Sequence, residues 1–214
     1  FSEWTPIFHS NKFILMRVFL GFSLFAFLFM GQATAQMWAK KALKTQKKLN
    51  KHYQDTLTSP LPKEDVSTFV GHPFYEPKKN LILKADFERT PDAKPFQMPT
   101  STDRLPIYTQ YGIAIFVIDG KEYKLNVYQN QKYKETLFLP FYDLTNGDTT
   151  YGGGRYLDLP YPKRDKIKID FNRAYHPYCA YSDRYSCPIP PVENRLDLKI
   201  LAGVKLAEKY KHDQ

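Results

Sequence analysis

From Trp38 to Tyr53, aromatic and apolar side chains (Trp38, Ala42, Leu49 and Tyr53) recur at about helical spacing, and no Gly or Pro interrupts them. The opposite face is mostly lysine. The pattern predicts a helix over 36–57 that packs through its aromatic stripe. Pro60 and Pro62 stop it, because proline lacks an amide hydrogen and disfavours helical geometry in the residue before it. A helix lying in a membrane surface would need a broader apolar face than this one carries.

Beyond residue 68 the period becomes two. Leu81, Leu83 and Ala85 alternate with Ile82, Lys84 and Asp86; Ile167, Ile169 and Phe171 alternate with Lys166, Lys168 and Asp170; Leu196, Leu198 and Ile200 alternate with Asp197 and Lys199. The last two runs read as strands with one buried and one wet face. Residues 107–118 and 121–129 flank Asp119-Gly120, the signal of a two-residue hairpin, and Tyr123, Leu125 and Val127 then share a face. Another strand is expected over 135–142, and a turn at Asn146-Gly147 precedes one near 155–159. The proline-rich stretch 89–106 reads as a loop. Short strands at this spacing, with no helical pattern between them, predict a mainly β fold: a single antiparallel β sandwich or partly closed barrel with an N-terminal helix.

The N-terminal region changes the picture of where the chain works. Residues 16–35 have the order of a secretory signal: Arg17, an apolar run of about 14 residues from Val18 to Gly31, then Ala33-Thr34-Ala35. That run is shorter than the roughly 20 residues needed to cross a bilayer core, so cleavage before Gln36 is expected rather than retention as an anchor. No Cys follows the cleavage point to take a lipid, and residues 1–15, which precede Met16, are expected to be upstream sequence. The expected organisation is a signal peptide at 16–35, a helix at 36–57 and a β domain over 58–214 with a short C-terminal tail. Such a chain is exported, to the periplasm or beyond, with no membrane span after cleavage. Without residues 1–35, 29 basic and 21 acidic side chains remain, a balance of +8. The excess is local, since Lys40, Lys41, Lys44, Lys47, Lys48 and Lys51 all fall just after the cleavage point. A basic exported chain points to an anionic envelope polymer or glycan as partner and away from nucleic acid.

Three stretches hold residues that a plain β core does not need. The first runs from Leu137-Phe138-Leu139-Pro140-Phe141 to Tyr151-Gly152-Gly153-Gly154-Arg155-Tyr156-Leu157-Asp158. The second is Asp170-Phe171-Asn172-Arg173-Ala174-Tyr175-His176-Pro177-Tyr178-Cys179-Ala180-Tyr181, and the third runs from Ser186-Cys187-Pro188 through Glu193-Asn194 to Leu196. In this order, and nearly letter for letter, they resemble the signature of domain-of-unknown-function family 1684: TYGGGRYLD, DFNxAYNPYCAY and CPxPPxEN. His176 stands where the family pattern has Asn. The likeness covers most of the mature chain, Thr100-Ser101-Thr102 included. It implies a family and carries no reaction, cofactor or ligand.

The chemistry must therefore be sought in the residues. Triple glycine followed by Arg155 suits either an anion cradle or a tight crossover beneath another segment, and the Lys-Ser/Thr that follows known phosphate loops is absent. Cys179 and Cys187 are the only cysteines, and in an exported chain a disulfide is the natural pairing. Closing that nine-residue loop would stabilise the fold by about 2.5 kcal/mol. The alternative is a reactive Cys179 activated by His176 or Arg173. Two Cys and one His at this spacing fall short of a metal set, so neither metal nor cofactor is expected.

Tyr175, Tyr178, Tyr181 and Tyr185 surround the cysteines and suit stacking on sugars or flat ligands, or simply closing the end of a barrel. Candidate binding residues are Arg155, Asn172, Tyr175, Tyr178, Glu193 and Asn194. Candidate catalytic residues are Asp158, Asp170, Cys179 and Glu193, with Asp143 a further carboxylate for an acid/base pair. The favoured reading is a binding or envelope-structural module with its site at the rim around the glycine-arginine turn and the Cys/Tyr loop. The alternative is a hydrolase of an envelope polymer or a thiol enzyme.

Overall fold

Residues 37–210 are described by a computed structural model; the expected upstream segment and signal peptide, and the last four residues, lie outside them. Helix α1 covers residues 37–54. Within it Ala42 and Tyr53 are buried while Lys44, Lys47, Lys48 and Lys51 are exposed. It stops short of 57 because Asp55 folds the chain back on itself. The Asp55 carboxylate accepts the Leu57 amide at 2.9 Å and the Thr58 hydroxyl at 3.0 Å, a local turn that competes with helix. Ser59 Oγ then donates to the Tyr53 carbonyl at 2.7 Å, which satisfies a helix-end acceptor. A one-turn helix α2, Lys63–Val66, follows. Among the described residues no helix is long and apolar enough to cross a membrane.

The strands are β1 (Ile82–Arg89), β2 (Phe96–Gln97), β3 (Ile107–Ile118), β4 (Lys121–Asn130), β5 (Leu137–Phe141), β6 (Arg155–Leu159) and β7 (Lys166–Asp170). They form one antiparallel sheet in the order β6-β5-β4-β3-β1-β7, with β2 added to β3 inside the expected loop, and the sheet curls into a half barrel. Asp119 and Gly120 close the β3–β4 hairpin with φ of 50° and 79°, the left-handed pair that such a turn needs. The run 196–200 keeps its alternation in burial but makes no strand. It is held by separate bonds from Leu196 N to Tyr142 O (2.9 Å) and from Leu144 N to Leu198 O (3.0 Å). A ladder cannot continue there, because the partner segment turns away where Asn146 N bonds Asp143 O at 3.1 Å.

Ala85, Ala114, Phe116, Leu125, Val127, Leu139, Leu157 and Ile169 fill one face of the sheet and form the main core. The other face is covered in part by a second cluster, Met98, Tyr108 and Tyr128 with Phe96 and Phe138. A bulge in β3 decides which residues meet which cluster. Gly112 pairs with Val127 and Ala114 with Leu125 on the core face, whereas across the irregularity Gln110 pairs with Tyr128 and Tyr108 with Asn130. The extra residue shifts the two-residue period, so Tyr108 leaves the core face and joins Tyr128 on the opposite one.

Next to the bulge, a Cβ on Gly112 would lie 2.4 Å from the Glu88 carbonyl and from the Phe87 ring. Gly112→Ala is therefore expected to destabilise by about 1–3 kcal/mol, seen as a lower urea midpoint with an unchanged m-value.

Candidate functional site

Period two dictates what β6 shows to each side. Leu157 and Leu159 enter the core, and Arg155, in phase with them, is buried with zero exposure. A buried guanidinium must be matched in charge and hydrogen bonding. Arg155 Nη2 forms an ion pair with Asp143 and donates to Ile200 O at 2.8 Å, while Nη1 donates to Ala202 O at 2.5 Å. Asp143 in turn accepts the Thr145 amide at 2.8 Å. Gly154, at φ 92°, packs where a Cβ would meet the Phe141 carbonyl at 2.9 Å and Pro190 at 2.8 Å. The glycine turn is thus a crossover beneath Pro190, with its arginine pointing inward.

Two further motif residues behave alike. Asn194 Nδ2 donates to the Asn126 and Pro140 carbonyls at 2.8 and 2.7 Å, and its Oδ1 accepts the Asn126 amide at 2.8 Å. Pro140 has no amide to offer β4, and the side-chain amide of Asn194 replaces the missing peptide pairing. Asn172 pairs the same way with both backbone groups of Lys78, at 2.7 and 2.9 Å. Asp170 accepts from Asn172 at 3.1 Å, and Glu193 is exposed beside Asn194.

The opposite phase of β6 builds a cleft of about 470 Å³. Tyr156 and Asp158 project into it with Phe138 of β5 and Tyr108 of β3; Tyr175, Tyr178 and Leu49 of α1 supply the walls. The rings touch in sequence, with centroids 5.5 Å apart for Tyr108 and Phe138, 4.8 Å for Phe138 and Tyr156, and 5.9 Å for Tyr156 and Tyr175. Tyr175 is positioned by an antiparallel bridge to Tyr156, and its hydroxyl donates to Asp158 Oδ2 at 3.0 Å. Asp158 is the exposed residue of β6 and opens onto the cleft. Loss of water raises its pKa above the usual carboxylate value, a rise opposed by the Tyr175 hydroxyl and by the Arg173 guanidinium. Asp158 is the one carboxylate among the described lining residues.

Of the expected site residues, Asp158, Tyr175 and Tyr178 meet in the cleft; Arg155, Asn172, Asn194, Asp170 and Glu193 do not line it. Cys187 lies in the cleft wall and Cys179 faces a different pocket, both as free thiols. Tyr108, Phe138 and Tyr156 also line the cleft, beyond the expected site residues. Phe138 carries a signal, an aromatic between the core residues Leu137 and Leu139, which implies cover on both faces of the sheet; Tyr108, between exposed Ile107 and half-buried Thr109, carries none, because the β3 bulge sets its face.

His176 stays behind the cleft. Its Nε2 accepts the Tyr151 amide at 3.2 Å, so Nδ1 carries the proton and donates to Tyr181 Oη at 2.9 Å; the Tyr181 hydroxyl then donates to His72 Nδ1 at 3.3 Å. Burial holds His176 well below the usual histidine pKa and pushes His72 down to about 4.

Two predictions come from these buried groups. Arg155→Met or Asp143→Ala leaves one charge unmatched and is expected to cost about 3–5 kcal/mol in urea unfolding. A histidine kept neutral by the fold gains a proton on unfolding. Stability should therefore be complete above pH 6.5 and fall as pH drops from 6.5 towards 4, with a slope approaching about 1.4 kcal/mol per pH unit for each histidine. Urea midpoints across that range check this, and His72→Phe should remove one histidine's share.

A family profile described as a protein of unknown function, DUF1684, matches residues 67–205. The fold is similar to the solution NMR structure of an uncharacterised protein from Haloarcula marismortui, with a TM-score of 0.65 and 30% identity over 81% of this chain and 96% of that one. No curated protein matches. On the family profile and this relative together, the chain belongs to the DUF1684 family.

Proposed function

We propose that this protein is a binding module whose site is the tyrosine-lined cleft, and that its ligand is a hydroxyl-bearing ring such as a pyranose unit of a glycan. The observation that carries this reading is the continuous row of rings from Tyr108 to Tyr175 ending on the Asp158 carboxylate. Flat aromatic faces pack against the apolar face of a sugar ring, and a carboxylate open to the cleft accepts its hydroxyls. Binding is favoured over hydrolysis because acid/base cleavage of a glycoside calls on a pair of carboxylates, and Asp158 lines the cleft without a second one among the described residues. Export fits an envelope glycan as partner, and the exposed lysines Lys44, Lys47, Lys48 and Lys51 of α1 would add attraction to an anionic polymer.

Titration calorimetry against neutral and acidic oligosaccharides tests the proposal. Tyr178 is 36% exposed at the cleft rim, so Tyr178→Ala should still give a folded protein, with a modestly lower unfolding midpoint from the lost His52 bond, while weakening binding about tenfold. Asp158→Asn should weaken it further. Affinity that survives both substitutions, or sugar released over time by the wild type, counts against a non-catalytic site here.

A further inference from the structure

Cys179 and Cys187 belong to two different cavities. Cys187 is buried in the wall of the tyrosine cleft beside Pro188. Cys179 is partly exposed on a separate pocket bounded by Tyr151, Ser182 and Arg184. The two nevertheless touch, since the Cys179 amide donates to Cys187 Sγ at 3.2 Å. Both ends of the loop between them are held. Ser101 N donates to the Cys187 carbonyl at 2.9 Å, the Cys187 amide donates to Ser101 Oγ at 3.2 Å, and the Tyr178 hydroxyl meets His52 Nε2 of α1 at 3.1 Å.

We propose that Cys179 and Cys187 are a thiol–disulfide exchange pair, with Cys179 the attacking thiol reached through the outer pocket and Cys187 the resolving thiol behind it. Exposure assigns the roles, because an external disulfide can approach Cys179 while Cys187 is covered. The hydrogen-bonding environment agrees. The Cys187 thiol and the Tyr151 hydroxyl, 3.8 Å away, both donate to Cys179 and hold its pKa down to about 7, whereas Cys187, facing that thiolate and buried, is pushed strongly up.

The exchange balances with an external low-molecular-weight disulfide as oxidant. The Cys179 thiolate attacks one of its sulfurs, forming a mixed disulfide and expelling one thiolate. Cys187 then loses its proton and attacks Cys179 Sγ, forming the Cys179–Cys187 bond and expelling the second. Two protein thiols are oxidised, one external disulfide is reduced to two thiols, and the two protein protons end on those thiols. The new bond ties the Tyr178 turn to the Cys187-Pro188 wall, both of which line the cleft, so oxidation stiffens its rim.

The test is incubation of the reduced full chain with oxidised glutathione, followed by mass spectrometry. The expected product has lost the mass of two hydrogens and retains no glutathione, and hydrogen exchange over 177–189 slows. Cys187→Ala should stop at a glutathione adduct on Cys179. Should that variant fail to fold, the wild type still decides. Iodoacetamide should label Cys179 at least about tenfold faster than Cys187 at pH 7, with a midpoint near pH 7. A wild type that keeps glutathione, does not react, or alkylates first at Cys187 overturns the proposal.

Discussion

Arg155 carries its charge at zero exposure, and Asp143 together with the carbonyls of Ile200 and Ala202 makes that position tenable. The arrangement fixes far more than one side chain. It joins the start of β6, the turn after β5 and the extended segment near the C-terminus, three pieces far apart in sequence. It also sets the phase of β6. With Arg155 facing in, period two sends Leu157 and Leu159 inward and leaves Tyr156 and Asp158 on the other side, where they become the floor of the cleft. A guanidinium that never meets solvent thus decides which side of β6 faces the cleft.

Asn194 and Asn172 serve the same architecture by a different route. Each uses a side-chain amide as a substitute peptide group, one bridging β4 to the proline-bearing β5 and the other clasping Lys78. Pro140 in an interior strand would otherwise leave backbone groups without partners, which is costly inside a protein. Much of the polar content of the family motifs is therefore consumed in holding the half barrel together. Of their aromatic content, Tyr156, Tyr175 and Tyr178 line the cleft.

The cleft exists because the sheet has two occupied faces. The bulge in β3 turns Tyr108 away from the core, Phe138 and Tyr156 take the outward phase of β5 and β6, and the segment after β7 adds Tyr175 by pairing with Tyr156. Leu49 of α1 then closes one side. Behind this wall, the relay of His176, Tyr181 and His72 packs against Tyr53 of the same helix, with His72 and Tyr53 ring centroids 4.2 Å apart. Helix, relay and cleft wall consequently share one packing unit.

The strands at 82–89 and 166–170, the Asp119-Gly120 hairpin and the aromatic stripe of α1 could be read from the sequence, because alternation, turn chemistry and helical spacing are local properties. Tyr175, Tyr178 and Asp158, which meet in the cleft, were legible as candidates because they lie in dense polar-aromatic motifs. Arg155, Asn172 and Asn194 lie in the same motifs and look identical in kind. Only the tertiary structure separated the two groups: whether a polar side chain spends its hydrogen bonds on the fold or keeps them for a ligand depends on partners such as Asp143, Ala202, Lys78 and Pro140. No spacing rule within a motif reveals those partners. The alternation at 196–200 shows the same boundary, since it specified which side chains are buried while the bonding around Tyr142 decided that no strand forms.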